Sequence, residues 1–586
     1  MPDHPYQDSA LPVGQRTNDL LSRLSLADKV GLMFHTMAVP LGGGQGLDHP
    51  VFGGRSLREE IEAGVNHFNI VGSLPDGRSF AAWHNAVQQV ALQRPPGIPV
   101  TFSSDPRHHF GDNPLTQMMA GPFSQWPETL GLAAIGSAQR VEEFADIVRQ
   151  EYLSAGIRVA LHPQLDLATE PRWSRINTTF GEDADLATRL GVAYVRGLQG
   201  PNLSPASVAA MLKHFPGGGP QLDGDDPHFP WGREQVYPGG NAEYHLAPFL
   251  AAIQAGAAEV MPYYGIPTET AGDSLAAAWD PVGFGFNRPV ITELLRQRLR
   301  FDGVVCTDWG LITDRPYLGD LGTARAWGVE HLSPEDRMLR VIEAGADQFG
   351  GEDCTEVLLA LVRSGLIAES RIDESARRLL RVKFSLGLFD QPLLDEQHAA
   401  LTVGRADFRE AGLQAQRDSL TVLTNQDLLP LPAGVRMFAP EIADLGGRAV
   451  KVEHPADADL AVLRVKAPFE PRSDGMASLF HHGSLEFAAP ELERILEVCA
   501  AVPTVVDVYL DRPAVLTPLL QRARVIVANF GLTESALLDV LFGTSPPRGK
   551  LPFDLPRSDD AVADSRSDVP FDTVDPLFRF GHGLRY

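Results

Sequence analysis

Up to residue 385 the chain alternates short apolar segments with amphipathic stretches of helix length, and this rhythm constrains the fold more than any other feature. Candidate strands are VNHFNIVG at 65–72, IPVTFSSD at 98–105, IRVALHPQLDL at 157–167, VAAMLKH at 208–214, AEVMPYYG at 258–265 and GVVCTDWG at 303–310. Between them, AQRVEEFADIVRQEYLSAG and EYHLAPFLAAIQAG repeat apolar residues at three- and four-residue spacing, and Ser25 with Asp28 reads as a capping box opening an early helix. Strand–helix repetition requires right-handed crossovers and therefore a parallel sheet. Periodicity alone leaves open whether that sheet closes. The strand ends favour closure, because five segments run apolar and then finish in Asp105, Asp166, Lys213–His214, Tyr264 and Asp308. A closed barrel gathers every strand C-terminus on one face, whereas an open sheet gathers ligands mainly at its switch point. The expected architecture is α/β, beginning with a closed parallel barrel.

The rhythm pauses after RIDESARRLLRVKFSLGLFD at 371–390, a basic amphipathic helix followed by Gly387. A Pro-containing stretch then reads as a linker. Beyond it SLTVLTN, DLAVLRVKAP, VPTVVDVYL and ARVIVANFG look like buried strands, with PELERILEVCAA and TESALLDVLFG as helices. The expected division is a barrel over 1–390, a linker over 391–405 and a smaller α/β layered domain over 406–586. Glycine clusters at 41–46 and 216–220 read as loops. Fifty Lys and Arg against 75 Asp and Glu give a net charge of −25, the wrong sign for neutralising phosphates or an anionic membrane. Cys306, Cys354 and Cys499 are too few and too scattered for a disulfide framework or a zinc ribbon. The N-terminus has no signal pattern and no apolar run approaches the ~18 residues of a bilayer span, so the expectation is a soluble cytoplasmic protein.

Several residues carry chemistry, each with a plainer alternative. Asp308, at the end of GVVCTDWG, reads as nucleophile, base, metal ligand or helix cap, and Trp309 beside it as a sugar platform or core residue. In MLKHFPGGGP, Lys213 precedes the glycines, whereas a phosphate loop places its lysine after them, so a phosphate loop is rejected. A strand-end lysine instead suggests an anionic or polyhydroxyl ligand, and His214 alone would be a structural histidine. Arg172 and Arg175 flank Trp173, where they either fix ligand oxygens or pair with Glu182, Asp183 or Asp185. Asp105, His108, His109 and Asp112 resemble a metal cluster, yet none of the 17 histidines forms a His-x-His pair. No metal or other cofactor is expected.

Taken in order, LLSRLSLADKVGLM, IPVTFSSD, EPRWSRINTTFGEDADL, LKHFPGGG, HLAPFLAAIQAGAAEVMPYY, GVVCTDWG, RRLLRVKFSLGLFD, GKLPFDLP and FRFGHGLRY resemble the family 3 glycoside hydrolases of the β-glucosidase type. The resemblance covers nearly the whole chain and implies a (β/α)8 TIM-like barrel followed by an α/β sandwich domain over 406–586. It implies Asp308 as the catalytic nucleophile and Asp105, Arg175, Lys213 and His214 as the residues that hold the hydroxyls of the terminal sugar. Tyr264 matches a tyrosine near the nucleophile, and Trp309 one that shapes the aglycone side. Ser174 and Thr178 stand where many members have Gly and Glu. The acid/base of two-domain members is a Glu from the second domain, which points to Glu470 in FEPRSDGMASLFHHG ahead of Glu486, read as starting the following helix. N-acetylhexosaminidases of the family use an Asp–His pair after the Lys–His strand, for which Asp226 and His228 stand in with different spacing and neighbours.

The implied function is a retaining, exo-acting β-glucosidase on β-glucosides and short oligosaccharides. The alternatives are a β-N-acetylhexosaminidase or phosphorylase of the same family, a catalytically silent carbohydrate-binding protein, and a metal-dependent barrel hydrolase. No nucleic-acid or membrane partner is expected.

Overall fold

The computed structural model describes residues 4–41, 46–51, 54–111, 113–315, 322–472 and 475–586. Most of the glycine cluster at 41–46, and Asp112, lie outside them. The first sheet holds eight parallel strands: β1 (Phe34–Ala38), β2 (His67–Ile70), β3 (Thr101–Ser104), β4 (Ile157–Ala160), β5 (Ala209–Phe215), β7 (Glu259–Pro262), β9 (Val304–Val305) and β10 (Phe349–Gly350). In the loops, β6 (Glu234–Val236) pairs with β8 (Ile266–Thr268). β1 pairs with β2 on one side and β10 on the other. The remaining edges, β9 and β10, meet where Cys306 bridges Gln348 and the Thr307 N–H donates to Gln348 O at 2.9 Å. The ring is closed, as the polar strand ends suggest.

Two of its strands carry no sequence signal. β1 reads FHTMA, with no apolar run, and β10 is a two-residue strand followed by Gly351. Both are strands because they complete the ring, a reason that no local pattern carries. Local signals elsewhere hold. Ser25 and Asp28 form the reciprocal capping box at helix Leu26–Leu32. Ser137 caps helix Ala138–Ala155, which ends at Gly156 with φ 84°. A Cβ on Gly156 would also run into the His84 ring, so glycine is required there twice over. Lys383, fully buried on helix Glu369–Ser385, closes the barrel floor by donating to Asn66 O (3.1 Å), Pro99 O (3.0 Å) and Thr101 Oγ1 (2.6 Å).

The second sheet contains β11 (Thr421–Asn425), β12 (Arg436–Phe438), β13 (Val450–Val452), β14 (Leu460–Lys466), β15 (Thr504–Tyr509) and β16 (Val525–Asn529), in the order β11-β16-β15-β14-β12-β13. Only β11 runs antiparallel to its neighbour. The four longer strands and helices Ala489–Ala501 and Glu534–Leu541 match the sequence reading. β12 and β13 escape it because, at one edge, they keep Arg436, Val450 and Lys451 exposed. The stretch read as a linker contains a helix, Glu396–Thr402, capped by Asp395 and packed so closely on helix Gly77–Gln93 that a Cβ on Gly77 would clash with Ala399 O.

The two sheets share one apolar core, which runs from Trp126 and Leu130 into Leu463, Val506 and Phe530. Polar contacts cross the same seam. Arg512, 1% exposed, donates to Arg172 O on the barrel (3.0 Å) and to Pro468, His482, Gly483 and Ser484 carbonyls on the second domain. The C-terminal segment then returns to the barrel. Buried Glu182 accepts from the Asp554 N–H (2.5 Å) and the Phe571 N–H (2.7 Å), and Asp568 accepts from the N–H groups of Gly239 (2.7 Å) and Asn241 (2.9 Å).

Candidate active site

A cavity of about 140 Å³ opens at the C-terminal ends of the barrel strands. Asp105, Arg175, Lys213, His214, Tyr264, Asp308 and Trp309 all line it, so seven of the eight site residues read from the sequence come together. Six of them converge because each ends, or closely follows, a strand of the closed ring, and Arg175 reaches the same mouth on the long loop between β4 and helix Ala184–Gln199.

A buried charge network sets the geometry. Lys213 Nζ donates to Asp105 Oδ1 at 2.7 Å, while Asn69 Nδ2 donates to Asp105 Oδ2 at 3.2 Å. Asp166, fully buried, accepts from the His214 N–H (3.0 Å) and the Gly218 N–H (2.6 Å) through Oδ1, and its Oδ2 lies 2.6 Å from His214 Nδ1. Arg175 Nη1 approaches His214 Nε2 at 3.1 Å, and Arg175 Nη2 donates to Gln164 Oε1 at 3.0 Å. A guanidinium only donates, so His214 Nε2 accepts and the imidazole proton sits on Nδ1, facing Asp166. Burial, reinforced by Arg175, holds the His214 pKa well below its ordinary value, so the ring is neutral. Burial also raises Asp166 to about 6, against the opposing pull of its backbone donors.

Asp308 is held differently. Its Oδ1 accepts from the Trp309 N–H at 2.8 Å, whereas Oδ2 is buried and takes no hydrogen bond from the described residues. That oxygen lies 3.8 Å from His214 Nε2, which is itself an acceptor. Tyr264 donates its hydroxyl to Trp309 O at 2.8 Å and is locked beside the carboxylate. Burial, then the Asp308 charge, raises the Tyr264 pKa well above normal. The result is a carboxylate with one oxygen anchored and the other uncommitted, facing a cavity ringed by donors. Such an arrangement suits nucleophilic attack on a polyhydroxyl substrate.

Glu470 is not among the lining residues. It is exposed, its N–H donates to His482 O at 2.9 Å, and its carboxylate packs so near Gly483 that a Cβ there would collide with it. Glu486 is exposed just ahead of helix Ala489–Ala501 rather than in its first turn. His228, by contrast, does line the cavity. Its Nδ1 lies 2.5 Å from Asp226 Oδ1, Asp226 also accepts from Trp173 Nε1 at 3.3 Å, and the His228 ring packs on Tyr264 with centroids 4.9 Å apart. Burial alone would raise Asp226, but the adjacent His228 pulls it below its ordinary value.

Two other readings change. Arg172 pairs with Glu170 (2.8 Å) and Asp223 (3.3 Å), not with Glu182, Asp183 or Asp185. Asp183 instead caps helix Ala184–Gln199. The histidines of the metal-like cluster are engaged elsewhere, His108 with Glu151 at 3.0 Å and His109 Nδ1 with Pro127 O at 2.7 Å. Sequence reading misses Asn69, Arg315 and Arg325, which also line the cavity. Asn69 obeys the strand-end signal, whereas the two arginines arrive on loops that carry none.

Comparison with known proteins agrees with this geometry. Residues 51–382 match the glycosyl hydrolase family 3 N terminal domain and residues 441–586 the glycosyl hydrolase family 3 C-terminal domain. The chain is 48% identical over 590 residues to "Beta-glucosidase C" of Emericella nidulans, covering 99% of this chain and 94% of the relative. It is 40% identical over 606 residues to "Periplasmic beta-glucosidase/beta-xylosidase" of Dickeya chrysanthemi, covering 99% and 91%. Among solved structures, a β-glucosidase from Listeria innocua in complex with glucose superposes with a TM-score of 0.75 at 22% identity, covering 98% of this chain and 83% of that one. An exo-1,3/1,4-β-glucanase from a Pseudoalteromonas species gives 0.77 at 21%, covering 98% and 74%. With a closed barrel, a second-domain sheet and an uncommitted carboxylate at the barrel mouth, the chain belongs to glycosyl hydrolase family 3.

Proposed function

We propose that the protein is a retaining, exo-acting β-glucosidase that removes terminal β-D-glucosyl residues through a covalent glycosyl-enzyme. The observation that carries this reading is Asp308, with one oxygen fixed by the Trp309 N–H and the other free of hydrogen bonds from the described residues. Asp308 Oδ2 attacks the anomeric carbon. Asp105, Lys213, Arg175 and His214 hold the sugar hydroxyls, Tyr264 steadies the nucleophile's loop, and Trp309 flanks the aglycone. A cavity of about 140 Å³ favours one terminal sugar over an internal segment of a chain. Relatives described as β-glucosidases at 46–48% identity over nearly the whole chain support the choice of glucose. The deciding measurement is NMR of the first-formed sugar. β-Glucose is expected before mutarotation, and an α-configured first product refutes the retaining mechanism.

The proposed acid/base is Glu470, on the second-domain loop whose Arg472 pairs with Asp225 of the barrel at 2.5 Å. A retaining pair needs carboxyls ~5–5.5 Å apart, so Glu470 must swing from Gly483 towards the cavity when substrate binds. A second reading rests on one observation: the hydrogen-bonded Asp226–His228 pair already lines the cavity. Glucosides with leaving groups of graded acidity separate the two. Loss of activity confined to poor leaving groups identifies the acid, in Glu470→Ala or in His228→Ala. A hexosaminidase or phosphorylase would instead prefer N-acetylglucosaminides or require phosphate. A metal-dependent hydrolase would lose activity in EDTA, and a silent binding protein would release no aryl group. One relative is described as periplasmic, in contrast to the cytoplasmic expectation, and cell fractionation with activity assays separates these.

A further inference from the structure

A cavity of about 450 Å³, larger than the one at the barrel mouth, lies at the seam between the domains. Its volume is in the ~300–1,000 Å³ range of small-molecule sites. Its position follows a general rule for open, mostly parallel sheets, in which ligands settle outside the strand C-termini at the point where strand order reverses. In the second sheet, order reverses between β12 and β14. The cavity is lined by Glu441 just past β12, Lys466 at the end of β14, Asp511 just past β15 and Asn529 at the end of β16.

Its chemistry excludes the nucleotide that often occupies such a position. Three carboxylates, of Glu441, Asp507 and Asp511, would face a phosphate, and no glycine-rich turn follows β14. Arg464, Lys466 and His481 balance them, so the lining is mixed in sign and suits a neutral ligand with many hydroxyls. Some groups are already committed: Arg464 Nε donates to Asp507 Oδ2 at 2.9 Å, and His481 bonds Asp511 Oδ2. Others are not. Asp511 is 9% exposed, yet its Oδ1 is inaccessible and has no partner among the described residues, and neither has the inaccessible hydroxyl oxygen of half-buried Ser174 on the facing barrel loop. Buried polar atoms without partners are costly, and a ligand hydroxyl at each would remove the cost.

A thin wall separates this cavity from the catalytic one. Pro114 and Leu115 face the catalytic side, while Asn113 and Gln117 face the seam. On the second domain, Phe480 packs on His228, with centroids 5.0 Å apart, while its neighbour His481 lines the seam. We propose that the seam cavity is a second, non-catalytic site for a neutral sugar of one or two residues, placed to brace the loop that carries Glu470. The choice of a sugar rests on the glucosidase reading.

The test is calorimetric titration of full-length, turnover-deficient Asp308→Asn protein with cellobiose. Adding Asn177→Trp fills the cavity from a half-buried residue whose side chain has no hydrogen bond among the described residues. This substitution is expected to remove one equivalent of binding while thermal stability holds. Lys466→Ala, at an exposed side chain, is expected to weaken that equivalent at least threefold. Unchanged stoichiometry in Asn177→Trp overturns the proposal. If that variant misfolds, unchanged affinity in Lys466→Ala overturns it. Wild-type turnover of p-nitrophenyl β-glucoside is scored separately, so failure of the glucosidase reading is seen on its own.

Discussion

Asp166→Asn makes the sharpest test of how the site is held. Asparagine keeps an oxygen for the His214 and Gly218 N–H groups, which now approach Oδ1 at 3.0 and 2.6 Å. It puts an NH₂ group where Oδ2 lies 2.6 Å from His214 Nδ1. If His214 keeps its proton on Nδ1, two donors collide there. If the proton moves to Nε2, two donors collide at Arg175 Nη1, now 3.1 Å away. Neither tautomer satisfies both neighbours, so one charge-assisted bond is lost, worth ~1.5–3 kcal/mol. At ~1.4 kcal/mol per decade, kcat/KM for an aryl glucoside should fall about 10- to 100-fold. The same frustration should follow protonation of Asp166 in the wild type, giving an acid limb near pH 6 that Asp166→Asn lacks. The sign for stability is opposite. With a native pKa raised from 3.8 to about 6, this carboxyl binds its proton more tightly when folded, so its own contribution lowers stability as pH rises across that interval. Wild-type kinetics in Asp166→Asn would refute the tautomer argument.

Three further outcomes are expected. Asp308→Asn should abolish turnover of aryl and alkyl glucosides alike, with thermal stability unchanged or raised because a buried oxygen without a partner loses its charge. Residual turnover above about 1% with intact retention would rule Asp308 out as nucleophile. Lys213→Met leaves Asp105 without its 2.7 Å partner and should cost about 3–5 kcal/mol of stability as well as activity, which chemical denaturation would read. Ser25→Ala removes a helix cap far from the cavity and should cost ~1 kcal/mol with kcat/KM unchanged.

Short-range chemistry is what the sequence makes legible. Asp105, Lys213, His214, Tyr264 and Asp308 follow from one rule, that a buried strand ending in a polar residue aims it at a shared face. Asn69 obeys the rule too but is hidden, because Ile70 and Val71 make its strand look apolar to the end. Arg315 and Arg325 give no signal, since their approach depends on how long loops fold back. Arg172 reads as a partner for distant acids although Glu170 stands two residues away, and a turn brings those two together. β1 and β10 require the closed ring itself, and the helix in the expected linker requires the surface of its neighbour. Glu470 can be chosen by its place after β14, but no sequence pattern reports on which side of Gly483 its carboxylate rests.

The return of the C-terminal segment to the barrel bears on how the protein is made. At ~5–20 residues per second, the roughly 200 residues between β10 and Asp554 take about 10 to 40 seconds to synthesise, so the barrel strands emerge well before that segment. Glu182 is fully enclosed only once Asp554 and Phe571 have donated to it, and the loop from Gly239 to Asn241 only once Asp568 has arrived. On the ribosome, the barrel therefore waits with a bare carboxylate in its wall until residues 554–571 have left the exit tunnel. Chains cut short before Asp554 should be cleared by proteases as partly folded barrels rather than accumulate as hydrolases of low activity.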